Sequence, residues 1–344
     1  MSLKLGILTG FRAGAESYEL YIRACQELGV PFEIIDVIGS KWLGNIVASN
    51  CAAYLVRPTP YYVAWKQMYD EKLYHMVNSL GKIIYPRYHD LLLYENKRHM
   101  AYAMQIAGIP MATTNIFYNL EEAIEYLDKA SFPVVFKTQI GAQGRGVKIL
   151  RSRAAAKLLV TRAFYVGVFR HVRTNLKGLL GKRTCSIPYY FSEPEYRVVL
   201  LQEYLPNVVE WRMIRIGKSY FGHQKLKKGQ FHSGSSLVGW YDPPERLLRF
   251  TKNVCDSIGT DSMCVDLFET PTGEYKVNEL QAVFGSYDPS QMYINGIPGR
   301  YLYLPAEDRW IFEEGYFNRN GSCNLRVQHL LESLSAMTHE EVVR

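Results

Sequence analysis

Residues 133–150 read PVVFKTQIGAQGRGVKIL, a strand, a glycine-rich loop and a second strand. The first strand is apolar from Pro133 and closes on Lys137. Gly141, Gly144 and Gly146 follow within nine residues of that lysine, before the strand from Val147 to Leu150. Glycine lets backbone N–H groups turn toward a phosphate with no Cβ in the way, and a lysine adds a point charge for the same group. The order strand, loop, strand separates this stretch from the P-loop, which needs G-x-x-x-x-G-K-[ST] ahead of a helix. Alone, the same residues also fit a plain glycine hairpin.

Downstream, strands at 263–268 and 275–281 flank the turn signal Thr270-Pro-Thr-Gly273. A hairpin centred between Thr272 and Gly273 sets Asp266 directly opposite Glu279, with Cβ atoms about 4.5–5.5 Å apart. Facing carboxylates repel unless a cation lies between them. Gln281 stands two residues beyond Glu279 and shares its face. Two carboxylates and an amide oxygen are hard donors, suited to Mg²⁺ with phosphate oxygens completing the shell. A register one residue off would instead turn one carboxylate to solvent.

Between these two regions lies Leu201-Gln202-Glu203-Tyr204-Leu205-Pro, followed by Glu210-Trp-Arg212. A chain leaving its strand at Pro206 exposes backbone groups that could meet a purine edge, and a carboxylate further on could accept ribose hydroxyls. The segment also reads simply as a strand joined to a loop. Lys225 and Lys227 alternate on one strand face, where isolated lysines are commonly just solvated.

The first 94 residues alternate strand and helix signals: strands at 3–8, 32–36, 52–56 and 82–85, with a helix from Glu16 to Leu28 stopped by Gly29. That rhythm predicts a small parallel sheet. A helix at 95–107 ends in Gly108-Ile-Pro110, and one at 120–129 opens on Asn119 with Glu122 three residues on. Strands are predicted at 114–117, 197–204, 210–216 and 219–226, and helices at 244–258, near 324–335 and, behind Ser152, through the 150s and 160s.

The chain of 344 residues is 48% hydrophobic and 21% charged, which excludes wholesale disorder and implies more than one domain. No apolar run reaches the ~18 residues of a membrane helix, and residues 3–8 read as a strand rather than a signal peptide. Six widely spaced cysteines without a C-x-x-C pair indicate neither a zinc site nor a disulfide framework, so a reducing cytoplasm is the expected setting. From Lys129 to Phe191 there are thirteen Lys or Arg and no Asp or Glu, within a net charge of +7. Such a segment attracts phosphates or another polyanion, or is a solvated face.

Taken in order, these signals resemble the ATP-grasp superfamily of carboxylate–amine ligases, over about residues 95 to 285. Asn96-Lys97 is similar to the start of its first helix, which ends in G-I-P as at Gly108–Pro110. Lys137 and the Gly141–Gly146 loop resemble its phosphate-binding lysine and flexible loop. Gln202, Glu203, Tyr204 and Leu205 resemble the hinge that reads adenine, and Glu210 the ribose carboxylate. Arg212 and Lys225 resemble residues that approach the terminal phosphate in the ribosomal-protein glutamate ligases. Asp266, Glu279 and Gln281 look like the magnesium ligands, with Gln where the superfamily usually has Asn. Phe231-His232-Ser233 departs from the arginine and asparagine of the glutamate ligases, which touches the acceptor site more than the ATP site.

The resemblance implies an N-terminal α/β domain at 1–94, then two ATP-grasp subdomains at 95–200 and 201–344, α/β and α+β in class, with ATP between them. It implies ATP and Mg²⁺ as cofactors and an acylphosphate intermediate, with small-molecule, peptide or sugar carboxylate and amine substrates. The stretch Ala282–Arg309, with Phe284, Tyr287, Asp288, Tyr293 and Asn295, would shape the acceptor site or seal the sheet as an ordered loop. A kinase holding a polyanion on Arg162, Arg170, Arg173, Lys177, Lys182 and Arg183 is a second reading, and a non-catalytic nucleotide-binding protein a third. Nucleic acid is not expected, and a homodimer is left open.

Overall fold

A computed structural model describes residues 3–9, 18–58, 63–139, 146–165, 197–227, 237–285 and 291–342. Gly141, Gly144, residues 231–233, Tyr287, Asp288 and the basic residues 170–183 fall outside them.

The first sheet is parallel, as the alternating signals predict. Strands β1 (Leu5–Thr9), β2 (Phe32–Asp36), β3 (Ala53–Leu55) and β4 (Ile84–Tyr85) lie in the order β2-β1-β3-β4. Helix α1 (Glu19–Glu27) presents Tyr21, Ala24 and Cys25 to a core that includes Leu5, Ile7 and Leu55. Three helices in this region escape the sequence reading: α2 (Trp42–Ala48), α3 (Val63–Tyr74), which runs into a π-helical turn at His75–Ser79, and α4 (Tyr88–Leu93). Helices α2 and α4 are too short, at seven and six residues, to show a helical period, and the apolar residues of α3 are interrupted by charge.

Helix α5 (Lys97–Ile106) starts two residues later than predicted, because Asn96 caps it by accepting from the His99 N–H at 3.2 Å. The second sheet is antiparallel and carries β5 (Thr114–Phe117), β6 (Val134–Lys137), β7 (Val147–Leu150) and β8 (Val199–Glu203), ordered β5-β8-β6-β7. Helix α6 (Leu120–Lys129) has Asn119 accepting from the Glu122 N–H, and residues 153–165 form α7. Both helices cover one face, where Leu127, Val134, Leu150, Val160 and Leu201 pack. Lys137 and Gln202 therefore point to the other face.

The third sheet has eight strands: β9 (Val209–Ile216), β10 (Ser219–Lys225), β11 (Val238–Gly239), β12 (Ser262–Glu269), β13 (Tyr275–Gln281), β14 (Met292–Ile294), β15 (Ile297–Leu304) and β16 (Arg309–Glu314). Its main path runs β13-β12-β9-β10-β15-β14. Helix α8 (Glu245–Ser257) buries Leu247, Leu248, Val254 and Cys255 in the main core. Helix α9 (Cys323–Val342) returns to the first sheet, placing Cys323, Val327, Leu330 and Leu334 beside α1. Among the described residues no helix is long and apolar enough to cross a membrane.

Strands β14 and β15 lie within 282–309, so these residues belong to the third sheet and are not a loop sealing it. Asn295 (φ 51°) and Gly296 (φ 80°) are the two-residue turn joining Ile294 to its partner Ile297. Asn-Gly between apolar residues is a strong short-range hairpin signal, because both turn positions need positive φ. The division of the chain at 94/95 and 200/201 stays a proposal, and β8 spans the second cut.

Candidate active site

One rung of the third sheet brings four expected or unexpected polar residues into line. Glu279 pairs with Asp266, Asp266 with Arg212, and Arg212 with His223, across β13, β12, β9 and β10. Directly cross-strand side chains share a face. The adjacent rung on that face carries Lys276, Phe268, Glu210 and Lys225. The other adjacent rung carries Gln281, Cys264, Ile214 and Phe221.

The pairing of Asp266 with Glu279 is the predicted one, but the hairpin reaches it differently. Glu269 pairs with Tyr275 and Leu267 with Val277, and the register then shifts, so Asn278 is the extra residue of a β-bulge. The bulge aims Asn278 at the second sheet, where Lys137 Nζ donates to its Oδ1 at 2.8 Å. Asn278 was missed from sequence, since a one-residue bulge leaves no periodic trace.

Charge is closely matched around the rung. Arg212 donates to Asp266 twice, Nε to Oδ1 and Nη2 to Oδ2, each at 2.9 Å. Lys225 Nζ donates to Asp266 Oδ2 at 3.0 Å and to Glu210 Oε1 at 2.5 Å. Lys97, at the start of α5, sits 3.3 Å from Glu279. Lys97, Lys137, Arg212 and Lys225 thus face Glu210, Asp266 and Glu279, which leaves one positive charge for anionic phosphates.

Burial alone would raise the Asp266 carboxyl, but Arg212 and Lys225 outweigh it and hold it well below the usual range. Burial alone would lower Lys225, but Asp266 and Glu210 together hold it above an ordinary lysine. Lys137 has no carboxylate that close. Burial brings it down to about 8, with Glu279 opposing the shift and Lys97 adding to it. Lys137 is therefore a half-buried, hydrogen-bonded lysine and not the exposed, unpartnered one that its place before the loop suggests.

The second sheet supplies the facing wall. Gln202 is buried, its side-chain amide donates to Thr114 Oγ1 at 2.9 Å, and its main chain is paired with β5 and β6, so the hinge leaves the sheet at Tyr204 and Leu205. Glu203 accepts from the Thr113 N–H and from Lys276 Nζ, both at 2.9 Å, and ties the two sheets together. Tyr204 and Leu205 follow β8, half-buried. Glu210 is only 2% exposed and takes Lys225 as partner, so contact with a ribose requires that ion pair to open.

At the foot of the loop, the Thr138 N–H donates to the Gly146 carbonyl at 3.0 Å. Gly146 has φ +82°, and a Cβ there would lie 2.0 Å from Thr138 Oγ1. Only glycine closes this turn.

The donor set suits Mg²⁺. Asp266, Glu279 and Gln281 are hard oxygen donors on one face, and Mg²⁺ is commonly held by one or two carboxylates plus phosphate oxygens. Asp266 Oδ1 takes one strong hydrogen bond, from Arg212 Nε, which leaves a lone pair. The facing carboxylates are not in themselves a sign of metal, however, because side-chain cations already neutralise them. Among the described residues no group of three or more His, Cys, Asp or Glu is placed to hold a metal ion; the set here is two carboxylates and an amide.

No family model matches the chain. Over 113 residues it is 26% identical to a pyruvate carboxylase of Pichia angusta, covering 33% of this chain and 9% of that protein. Over 54 residues it is 44% identical to a phosphoribosylamine–glycine ligase of Fusobacterium nucleatum, covering 16% of this chain and 13% of that one. The matches thus span roughly a tenth of the length of these curated relatives. Solved structures are similar over far more of the chain. A D-alanine–D-alanine ligase from Bacillus anthracis superposes with a TM-score of 0.58 at 13% identity, over 98% of this chain and 99% of that one. A D-cycloserine synthetase gives 0.57 at 17% identity, over 96% and 99%. A RimK-domain ATP-grasp protein from Sphaerobacter thermophilus gives 0.52 at 17% identity, over 81% and 91%. Three sheets in this arrangement, with lysines converging between the second and third, give this chain the ATP-grasp fold.

Proposed function

We propose that the chain is an ATP- and Mg²⁺-dependent ligase that joins a carboxylate to an amine through an acylphosphate. The observation that carries this reading is the meeting of Lys97 and Lys137 with the Glu279–Asp266–Arg212 rung and Lys225. That cluster sets four cationic side chains on one site, the charge that a triphosphate and its transferring phosphoryl group require.

ATP lies between the second and third sheets, its base against the main chain of 204–205. Lys97 and Lys137 hold its phosphates, each by a charge-assisted contact. Mg²⁺ held by Asp266, Glu279 and Gln281 would neutralise phosphate charge when bound. An oxygen of the substrate carboxylate attacks the terminal phosphorus, the bond to ADP breaks, and an acylphosphate forms. Arg212 and Lys225 are placed to offset the charge spread over the moving phosphoryl group, held in position by Asp266 and Glu210. The amine nitrogen then attacks the acyl carbon, the C–O bond to phosphate breaks, and the nitrogen loses a proton as the amide forms. The substrates are small-molecule, peptide or sugar carboxylates and amines. The five cysteines within the described residues are free, in keeping with a cytoplasmic setting.

The test is to incubate the chain with ATP and Mg²⁺ while screening carboxylates against amino acids and amino sugars, following phosphate and amide. A ligase releases phosphate in step with amide. Phosphorylated product without free phosphate would replace this reading with a kinase, and no ATP consumption with any pair would overturn both.

A further inference from the structure

The rung Glu279–Asp266–Arg212–His223 ends on a residue that the cluster does not use. His223 is 0% exposed, and among the described residues neither of its ring nitrogens has a hydrogen-bond partner. Its three rung-mates are all in ion pairs. A buried polar group left unsatisfied carries a desolvation cost, and an apolar side chain of similar shape would remove it. The fold accepts such a residue two positions away: Phe221 shares the face of His223 and is equally buried. An imidazole at 223 thus stands on the catalytic face with hydrogen-bonding capacity to spare, one strand spacing (about 4.8 Å) from Arg212.

What lies on its other side defines a direction. The Trp240 ring meets the imidazole edge-on at 5.4 Å, and the Tyr293 ring meets Trp240 at 4.7 Å. Trp240 and its neighbours Leu237 and Tyr241 are 40%, 47% and 54% exposed. The imidazole is covered by the Trp240 ring, and the aromatic side chains beyond it lead outward to solvent, so a ligand reaches the nitrogen only by displacing that ring. The triphosphate approaches from the opposite end, where Lys97 and Lys137 lie. Arg212 beside His223 and burial keep the imidazole uncharged, so one ring nitrogen is a hydrogen-bond acceptor.

Building on the ligase reading, we propose that His223 is the hydrogen-bond acceptor for the N–H of the incoming amine. Trp240 and Tyr293 form the wall against which the amine's carrier lies. The carrier takes the place of the Trp240 edge over the imidazole and so brings the nitrogen to the Arg212 end of the rung. Asn295, expected among the acceptor groups, serves the β14–β15 turn instead, whereas Tyr293 on β14 keeps its place there.

The test uses D-glucosamine, a primary amine on a ring with an apolar face, and 2-deoxy-D-glucose, which has only hydrogen where the amine stands. Each is titrated into the full chain, with and without MgADP, following tryptophan fluorescence and ligand NMR. The wild type is expected to bind glucosamine about tenfold more tightly than 2-deoxyglucose, the worth of one good hydrogen bond. His223→Phe is expected to erase that preference, His223→Gln to retain most of it, and Trp240→Ala to weaken both sugars. A His223→Phe protein that melts like the wild type but keeps the preference overturns the assignment, as does a wild type with no preference. MgADP binding in the same samples reads the ligase proposal separately: its absence fails that proposal, whereas intact MgADP binding without amine preference fails this one alone.

Discussion

Asp266 and Glu279 face each other across one hairpin, yet their environments are opposite. Asp266 is 1% exposed and receives three hydrogen bonds from Arg212 and Lys225, whereas the Glu279 side chain is 20% exposed and meets Lys97 at 3.3 Å, with the charge of Lys137 also acting on it. Substituting each should therefore separate folding from chemistry.

Asp266→Asn takes the carboxylate from Arg212 and one of the two that hold buried Lys225, and is expected to cost about 3–5 kcal/mol of stability. Glu279→Gln is expected to change stability by less than about 1 kcal/mol, because a partly exposed pair contributes little. It should nonetheless abolish turnover and make nucleotide affinity insensitive to Mg²⁺. Urea unfolding of both variants and ADP titrations with and without Mg²⁺ check this. Full activity of Glu279→Gln at limiting Mg²⁺ would remove Glu279 from the metal set.

Lys137→Met keeps much of the apolar stem and removes the charge. ATP affinity should fall about ten- to a hundredfold, the worth of roughly 1.5–3 kcal/mol for a hydrogen bond to a charged group. Adenosine should bind both proteins alike. The variant leaves Asn278 Oδ1 without this donor but also removes a charge that burial disfavours, so stability without ligand should not fall at neutral pH. Calorimetry with ATP, ADP and adenosine decides it: an equal loss for adenosine would make Lys137 a structural residue.

The pH dependence follows from the same lysine. Its pKa falls from 10.5 to about 8 on folding, so between those values the unfolded chain binds more protons. The Lys137 contribution to stability therefore rises with pH across that window. Phosphates favour the charged form, so ATP binding should take up a proton above about pH 8, and affinity should decline as pH rises. Both trends should be absent in Lys137→Met, as titrations in buffers of differing ionisation enthalpy will read.

Gly146→Ala forces a Cβ into Thr138 and holds alanine at positive φ, for about 1–2 kcal/mol from the backbone alone. Thr138→Ala in the same chain should return the steric part and leave the backbone part. Thermal melts of the single and double variants test the coupling; strict additivity would mean that the two residues do not touch.

Much of this architecture was legible in the chain itself. The apolar run into Lys137, the glycines after it and the thirteen-residue spacing of Asp266 and Glu279 are local patterns, and local patterns follow from backbone preferences. Strand β2, helix α6 and strand β13 begin and end where their turn and cap residues place them. Even Asn295-Gly296 carried its hairpin in plain sight.

Only the tertiary structure decided who partners whom. Hydrogen-bonded strands such as β9 and β12 are separated by dozens of residues, so no local pattern could place Arg212 against Asp266 or leave His223 unpartnered beside them. The bulge at Asn278 is a register choice made by packing, and it gives Lys137 a partner that its own neighbourhood did not suggest. Burial then sets the charge states: the residue types were written in the sequence, but the fall of Lys137 to about 8 and the hold of Arg212 and Lys225 on Asp266 arise only once two sheets close around them.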